Sequence, residues 1–148
     1  MIAIQVFGDL QNIITRQFDI SREFIHCLRN IFQLHCCTSK VCEEYGISDE
    51  IIHQRAAVSP LREQIHFLGF VRDEDLPNLY SAADAFVYPS LYEGFGMPPL
   101  EAMACACPVV CSDRGSLREV VAGAALIIDP EDPSTIGAAL NRLAHPEE

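Results

Sequence analysis

Two carboxylates bracket a glycine-rich turn in "PSLYEGFGMPPLEAMACACPVV", residues 89–110: Glu93 before the glycines and Glu101 eight positions later. An ionised carboxylate only accepts hydrogen bonds, and its two oxygens can take both hydroxyls of a vicinal diol such as ribose. Gly94 and Gly96 permit positive φ and close approach of backbone to a ligand, so their amides can face an anion. The adjacent prolines Pro98 and Pro99 suit the opening of a helix, and that helix aims its positive end at the same space. A phosphate would be held there without any lysine. Glu101 is placed in the first turn of the helix, where the dipole favours its charge. Each part alone is ordinary, since the chain has twelve glutamates and a Gly-x-Gly turn can be a plain connector. The chemistry rests on the parts occurring together.

The elements that must hold this turn follow from the flanking pattern. "IHFLGF" (65–70), "AFVY" (85–88), "PVVC" (108–111) and "ALIID" (125–129) are short apolar runs. Between them lie helix patterns: "DEDLPNLYSAAD" with Asp73 as N-cap, "PPLEAMAC" (98–105), and "SLREVVAG" with Ser116 and Glu119 in capping-box register and Gly123 as its stop. A last helix, "STIGAALNRLAH", follows "PEDP". Strands alternating with helices at a repeat of roughly 20 residues imply an α/β fold with a parallel sheet covered on both faces. In such sheets ligands bind beyond the carboxyl ends of the strands, which is where the glycine turn falls.

Residues 1–48 form a poorly defined N-terminal segment ahead of an α/β domain at 49–148. "MIAIQVFG" reads as a strand and "SREFIHCLRNIFQLHC" as a helix capped by Ser21. "DEIIHQRAAVSPLREQ" reads as a helix broken at Ser59-Pro60.

The bulk numbers exclude several function classes. With 49% hydrophobic and 21% charged residues the chain has an ordinary globular balance, and its apolar runs are far short of a membrane span. The first ten residues lack the features of a signal peptide, which makes a cytoplasmic location the expectation. A formal net charge of -11, with nine arginines and the single Lys40, excludes a diffuse basic face for nucleic acid. Seven cysteines are an odd number for a disulfide framework. "HCCTSKVC" (His35 to Cys42) holds four soft ligands, but two are adjacent and the spacing is poor for zinc, so no metal is expected. Cys105, Cys107 and Cys111 read as small core residues. His66, in a strand pattern, reads as a partly buried structural residue rather than a base. There is no Gly-x-Ser-x-Gly elbow of a hydrolase.

The 89–110 stretch resembles the donor-site motif of retaining glycosyltransferases of the GT-B fold, the group 1 or family 4-like transferases. Its flanks "IHFLGFVRDEDLPNLYSAADAFVYPS" and "SDRGSLREVVAGAALIIDPEDPSTIGAAL" agree, and the resemblance covers about residues 50 to 145. It implies a Rossmann-like parallel sheet with flanking helices, part of the C-terminal, donor-binding domain of that fold. It also implies transfer of a sugar from a nucleoside-diphosphate sugar to an acceptor hydroxyl with retention, without a cofactor or bound metal. Glu93 would bond the donor sugar near the reacting centre and be the catalytic residue. Gly94, Phe95 and Gly96 would present backbone to sugar and diphosphate. Glu101 would hold the ribose hydroxyls, with Met97, Pro98, Pro99 and Leu100 along that wall.

Three departures temper the resemblance. The family's diphosphate-gripping arginine and lysine, which lie upstream in an early strand–loop segment, have no convincing counterpart here. The chain is too short for the acceptor domain, so a truncated transferase, working with an acceptor-binding domain or partner subunit, is the expectation. "CTSKVCEEYGISDEII" echoes the family's interdomain hinge or is merely the helix before the Ile65 strand. Finally, Ala106 stands where the family usually has glycine, which costs on the order of 1 kcal/mol if positive φ is required. The alternative function is a non-catalytic Rossmann-like interaction or regulatory module. A GT-B phosphorylase would need a Schiff-base lysine, for which Lys40 is in no recognisable site.

Overall fold

The computed structural model describes residues 4–6, 49–60, 62–68 and 71–145. The helix expected from Ser21, the His35–Cys42 cysteine group and the hinge reading up to Ser48 lie outside the described residues. The chain forms two compact units, Met1–Val71 and Arg72–Glu148.

In the first unit, β1 (Ile4–Val6) pairs antiparallel with β2 (Ile65–Phe67), with Gln5 opposite His66. Helix α1 (Asp49–Val58) ends just before Ser59-Pro60, and a single 3-10 turn at Arg62–Gln64 leads into β2. The ring of His53 on α1 lies 4.0 Å from that of Phe67, which ties the helix to the ribbon. Two expectations change here. The Ile65 strand joins an antiparallel ribbon instead of the parallel series, and His66 is exposed instead of partly buried. Both changes have one cause. An apolar–His–apolar alternation gives one wet face, as antiparallel pairs allow, whereas central parallel strands are apolar on both faces.

The second unit carries α2 (Leu76–Ala82), β3 (Phe86–Tyr88), α3 (Met97–Ala104), β4 (Val109–Ser112), α4 (Leu117–Val121), β5 (Leu126–Ile128) and α5 (Pro133–Ala144). Its three strands form a parallel sheet in the order β3-β4-β5, with Val87 opposite Val110 and Cys111 opposite Ile127. All four residues of β4 are buried, as a central strand covered on both faces requires. Helices α3, α4 and α5 all pack on β4. The core is built from Val110, Cys111, Leu117, Val121, Ile128 and Ile136. An α/β fold with a parallel sheet flanked by helices is therefore what the strand–helix alternation implied.

Proline sets the helix starts. Asp73 does not cap α2; the cap position is Asp75, whose carboxylate takes Arg72 Nε at 2.8 Å instead of a backbone amide. A cap at Asp73 would place Pro77 where its missing N–H and its ring would break the first helical bond. With Asp75 at the cap, Pro77 falls in the first turn, where it is tolerated. At α5, Asp132 caps by accepting from Ser134 N–H at 3.0 Å.

The end of α3 is a Schellman turn. Ala106 N–H donates to Met103 O at 2.9 Å and Cys107 N–H to Ala102 O at 3.0 Å. The turn places Ala106 at φ 58°, the positive value anticipated for this glycine-favouring position. Ala106 is exposed, so no packing is lost by removing its methyl. Ala106→Gly is expected to stabilise the protein by about 1 kcal/mol, seen as a higher urea midpoint with unchanged slope. An unchanged or lower midpoint would contradict this account. Of the three cysteines nearby, Cys107 and Cys111 are buried core residues as expected, while Cys105 is half-buried. Burial raises the Cys107 thiol and, with the Asp113 charge adding, pushes Cys111 up to about 11.

Candidate functional site

Tyr88 ends β3 and is 2% exposed. The chain leaves the sheet through Pro89 and Ser90, both buried. Ser112, at the end of the neighbouring β4, donates its hydroxyl to Ser90 O at 2.5 Å and pins this exit. Two hydroxyls then converge on one atom: Tyr88 Oη–H reaches Glu93 Oε1 at 2.5 Å and Ser90 Oγ–H reaches it at 2.8 Å. Ser90 Oγ also lies 3.1 Å from Tyr92 O, but it has one proton and the carboxylate oxygen is the nearer acceptor.

The backbone of Glu93 is held from the other side by the loop after β4. Ser116 Oγ–H reaches Glu93 O at 3.5 Å. The expected capping box at Ser116 is therefore not formed. Ser116 has helical dihedrals and no side-chain cap bond, because its hydroxyl is turned to the Glu93 loop. Beside it, Gly115 has φ +61°, and a Cβ there would meet Glu93 O at 2.6 Å. Gly115 thus lets two loops touch backbone to backbone.

Of the two glycines singled out in the sequence, only Gly96 uses its freedom. It takes φ +86° at the head of α3, and a Cβ on it would meet Leu117 Cδ2 at 2.5 Å. Gly94 has no such dihedral; it is exposed with open space around its Cβ position. Around this turn Tyr92, Phe95 and Met97 are exposed by 80%, 58% and 52%, a cluster of large apolar side chains in solvent.

Helix α3 starts at Met97, so Glu101 is its fifth residue and not in the first turn as expected. The start moves because the left-handed Gly96 serves as N-cap, two residues ahead of Pro98. Glu101 stays one turn from the N-terminus of α3. It lies four residues after Met97 on the same face, and helical side chains lean toward the N-terminus. Tyr80 on α2 donates its hydroxyl to Glu101 Oε2 at 3.3 Å. Burial, reinforced by the Glu101 charge, pushes Tyr80 well above its ordinary range, so it stays a donor. Tyr80 and Tyr88 are joined through Phe86, with ring centroids 5.2 Å and 5.8 Å apart. Each glutamate of the pair is thus gripped by a tyrosine of one aromatic row. Pro99 is buried in the α3 core face, while Pro98 and Leu100 are half-buried beside the turn.

Arg114 is the cation closest in sequence to these loops, and it is already paired. Its Nη2 lies 3.1 Å from Glu131 and 3.4 Å from Asp129. No group of three or more His, Cys, Asp or Glu able to hold a metal ion occurs among the described residues. No helix among them is long and apolar enough to cross a membrane.

A comparison with known protein families matches residues 32–148 to the family described as Glycosyl transferases group 1. The chain belongs to this family. Curated relatives agree. Over 93 residues the chain is 53% identical to an O-antigen chain mannosyltransferase B of Escherichia coli, covering 63% of the chain and 24% of the relative. It is 42% identical over 100 residues to the O-antigen chain mannosyltransferase RfbU of Salmonella typhimurium, covering 68% and 28%. A mannosylfructose-phosphate synthase of Agrobacterium fabrum is 40% identical over 91 residues, covering 60% and 20%. The chain thus spans about a quarter of the length of these relatives.

In this group 1 glycosyltransferase chain, several residues of the site escape a reading of motifs alone. Tyr88 and Ser90 had a local clue, since alternate residues leaving a strand face the same side, here five and three positions before Glu93. Gly115 had the turn composition "DRGS". Tyr80 had none, because its partner is 21 residues away on another helix.

Proposed function

We propose that the second unit binds a nucleoside-diphosphate sugar and serves its transfer to an acceptor hydroxyl with retained configuration, as part of a GT-B glycosyltransferase. The observation that carries this reading is the pair of carboxylates, Glu93 and Glu101, each held by a tyrosine on either side of the Gly96 turn. Glu101 accepts from the ribose hydroxyls, for which Tyr80 leaves one carboxylate oxygen and most of the other. The turn from Gly94 to Gly96 brings backbone amides to the diphosphate, and the α3 dipole adds positive potential. Glu93 accepts from the sugar hydroxyls beside the anomeric carbon. Phe95 and Met97 offer apolar surface to the ligand's flat faces, consistent with their exposure.

In the reaction, the bond from the anomeric carbon to the diphosphate oxygen breaks and its electron pair leaves with the diphosphate. A bond from the acceptor oxygen forms on the same face, and the acceptor proton is released. Charge on the departing diphosphate is where preorganised donors lower the barrier most. Several relatives carry mannosyl transfer in their names, and mannose is the sugar we propose.

Calorimetry tests the reading with GDP, UDP, GDP-mannose and UDP-glucose. Heat is expected from one nucleotide series, and Glu101→Ala should weaken its nucleoside diphosphate about tenfold or more, the worth of a charge-assisted hydrogen bond. No heat from any of the four at millimolar concentration would overturn the reading.

A further inference from the structure

We propose that Tyr88 and Ser90 are positioning residues that confine Glu93 to a single ligand-facing oxygen, Oε2, and thereby set recognition of the sugar and not of the nucleotide. The inference rests on the donor-binding reading above. Both hydroxyls donate to the same atom, Oε1, at 2.5 Å and 2.8 Å. Among the described residues no hydrogen bond or ion pair engages Oε2. Tyr88 and Ser90 are 2% and 5% exposed, so their hydroxyls do not trade these bonds for water. Ser90 is itself fixed by the fully buried Ser112, and Tyr88 is fixed in the sheet opposite Cys111. A carboxylate held at one oxygen by two immobile donors loses its rotational freedom before any ligand arrives, and preorganisation of this kind is what precise hydroxyl recognition needs.

The alternative is that the two hydroxyls merely satisfy a half-buried carboxylate and hold the loop together. The two roles differ in what they do to ligands with and without a sugar. A loop-holding role would weaken or spare both ligands equally. A positioning role acts on the sugar-bearing ligand alone.

The experiment measures Kd for GDP and GDP-mannose, or UDP and UDP-glucose where that series binds, on the full chain and on Tyr88→Phe and Ser90→Ala. Far-UV circular dichroism and thermal melting accompany each variant. Tyr88→Phe keeps the ring contact with Phe86 and removes only the hydroxyl. The expected result is sugar-nucleotide binding about tenfold weaker, the loss of one hydrogen bond to a charged group, with nucleoside-diphosphate binding unchanged. Ser90→Ala is expected to shift the same ratio in the same direction, and it decides the matter if Tyr88→Phe does not fold. An equal effect on both ligands, or none on either, overturns the inference while leaving the donor-binding reading intact. Failure of the unaltered chain to bind any nucleotide removes that reading, and this inference with it.

Discussion

Leu117→Ala is expected to destabilise the protein by about 3 to 5 kcal/mol, near the top of the range for a large-to-small core change. Leu117 is fully buried, and helix α4 that carries it is only five residues long. A helix of that length has no stability of its own, so its place depends on the apolar side chains it inserts, Leu117 and Val121 one turn later. Leu117 also presses against Gly96 from beneath the turn, its Cδ2 occupying the place a Cβ on residue 96 would need. This contact makes a second, sharper expectation. In the unaltered protein Gly96→Ala must meet both the left-handed dihedral and the collision, whereas in the Leu117→Ala background only the dihedral remains. The two substitutions should therefore be less than additive, by about 1 to 3 kcal/mol in a double-mutant cycle from urea unfolding. Strict additivity would show that the turn moves freely over α4 and that the core does not brace it.

How much of this was legible in the sequence depends on which interactions are local. The parallel strands at 86–88 and 126–128 fall inside the apolar runs and 109–112 overruns its run by Ser112 alone, because strands this apolar have almost no polar positions to confuse the pattern. The left-handed residue after α3, an alanine, was suggested only by the resemblance, whose family usually has glycine there. What escaped was pairing across distance. The partner of Ile65–Phe67 is some sixty residues upstream, and periodicity names a strand without naming its neighbour. The caps failed for two separate reasons: Pro77 moves the α2 cap from Asp73 to Asp75, and the Ser116 hydroxyl turns to Glu93 O, 23 residues upstream. At the site, the motif located both glutamates, but not the tyrosines, the serines or Gly115 that hold them.

Gly115→Ala should have the largest effect on the site itself. The substitution meets two costs at once. Alanine at φ +61° costs about 1 to 2 kcal/mol, and its Cβ would lie 2.6 Å from Glu93 O and 3.2 Å from Glu93 N, so one backbone must move. The partner here is backbone, which cannot swing aside as the end of a side chain can. The Glu93 loop is the part that yields, since the Gly115 side is anchored by Leu117 in the core. A displacement approaching 1 Å at Glu93 strains its bonds to Tyr88 and Ser90, and misplacement on that scale costs on the order of a hundredfold where geometry matters. Under the proposed function the expected result is loss of sugar-nucleotide binding together with a fall in stability of about 2 kcal/mol or more. Gly94→Ala is the control, because its Cβ meets nothing within 4 Å and its dihedral is not left-handed. It lies in the same turn as Gly96, directly after Glu93, and should leave the urea midpoint nearly unchanged. If Gly115→Ala lowers stability yet sugar-nucleotide binding persists at full strength, the Glu93 loop tolerates movement. The carboxylate would then have to be aimed by the ligand on binding, and not by the contact of the two loops.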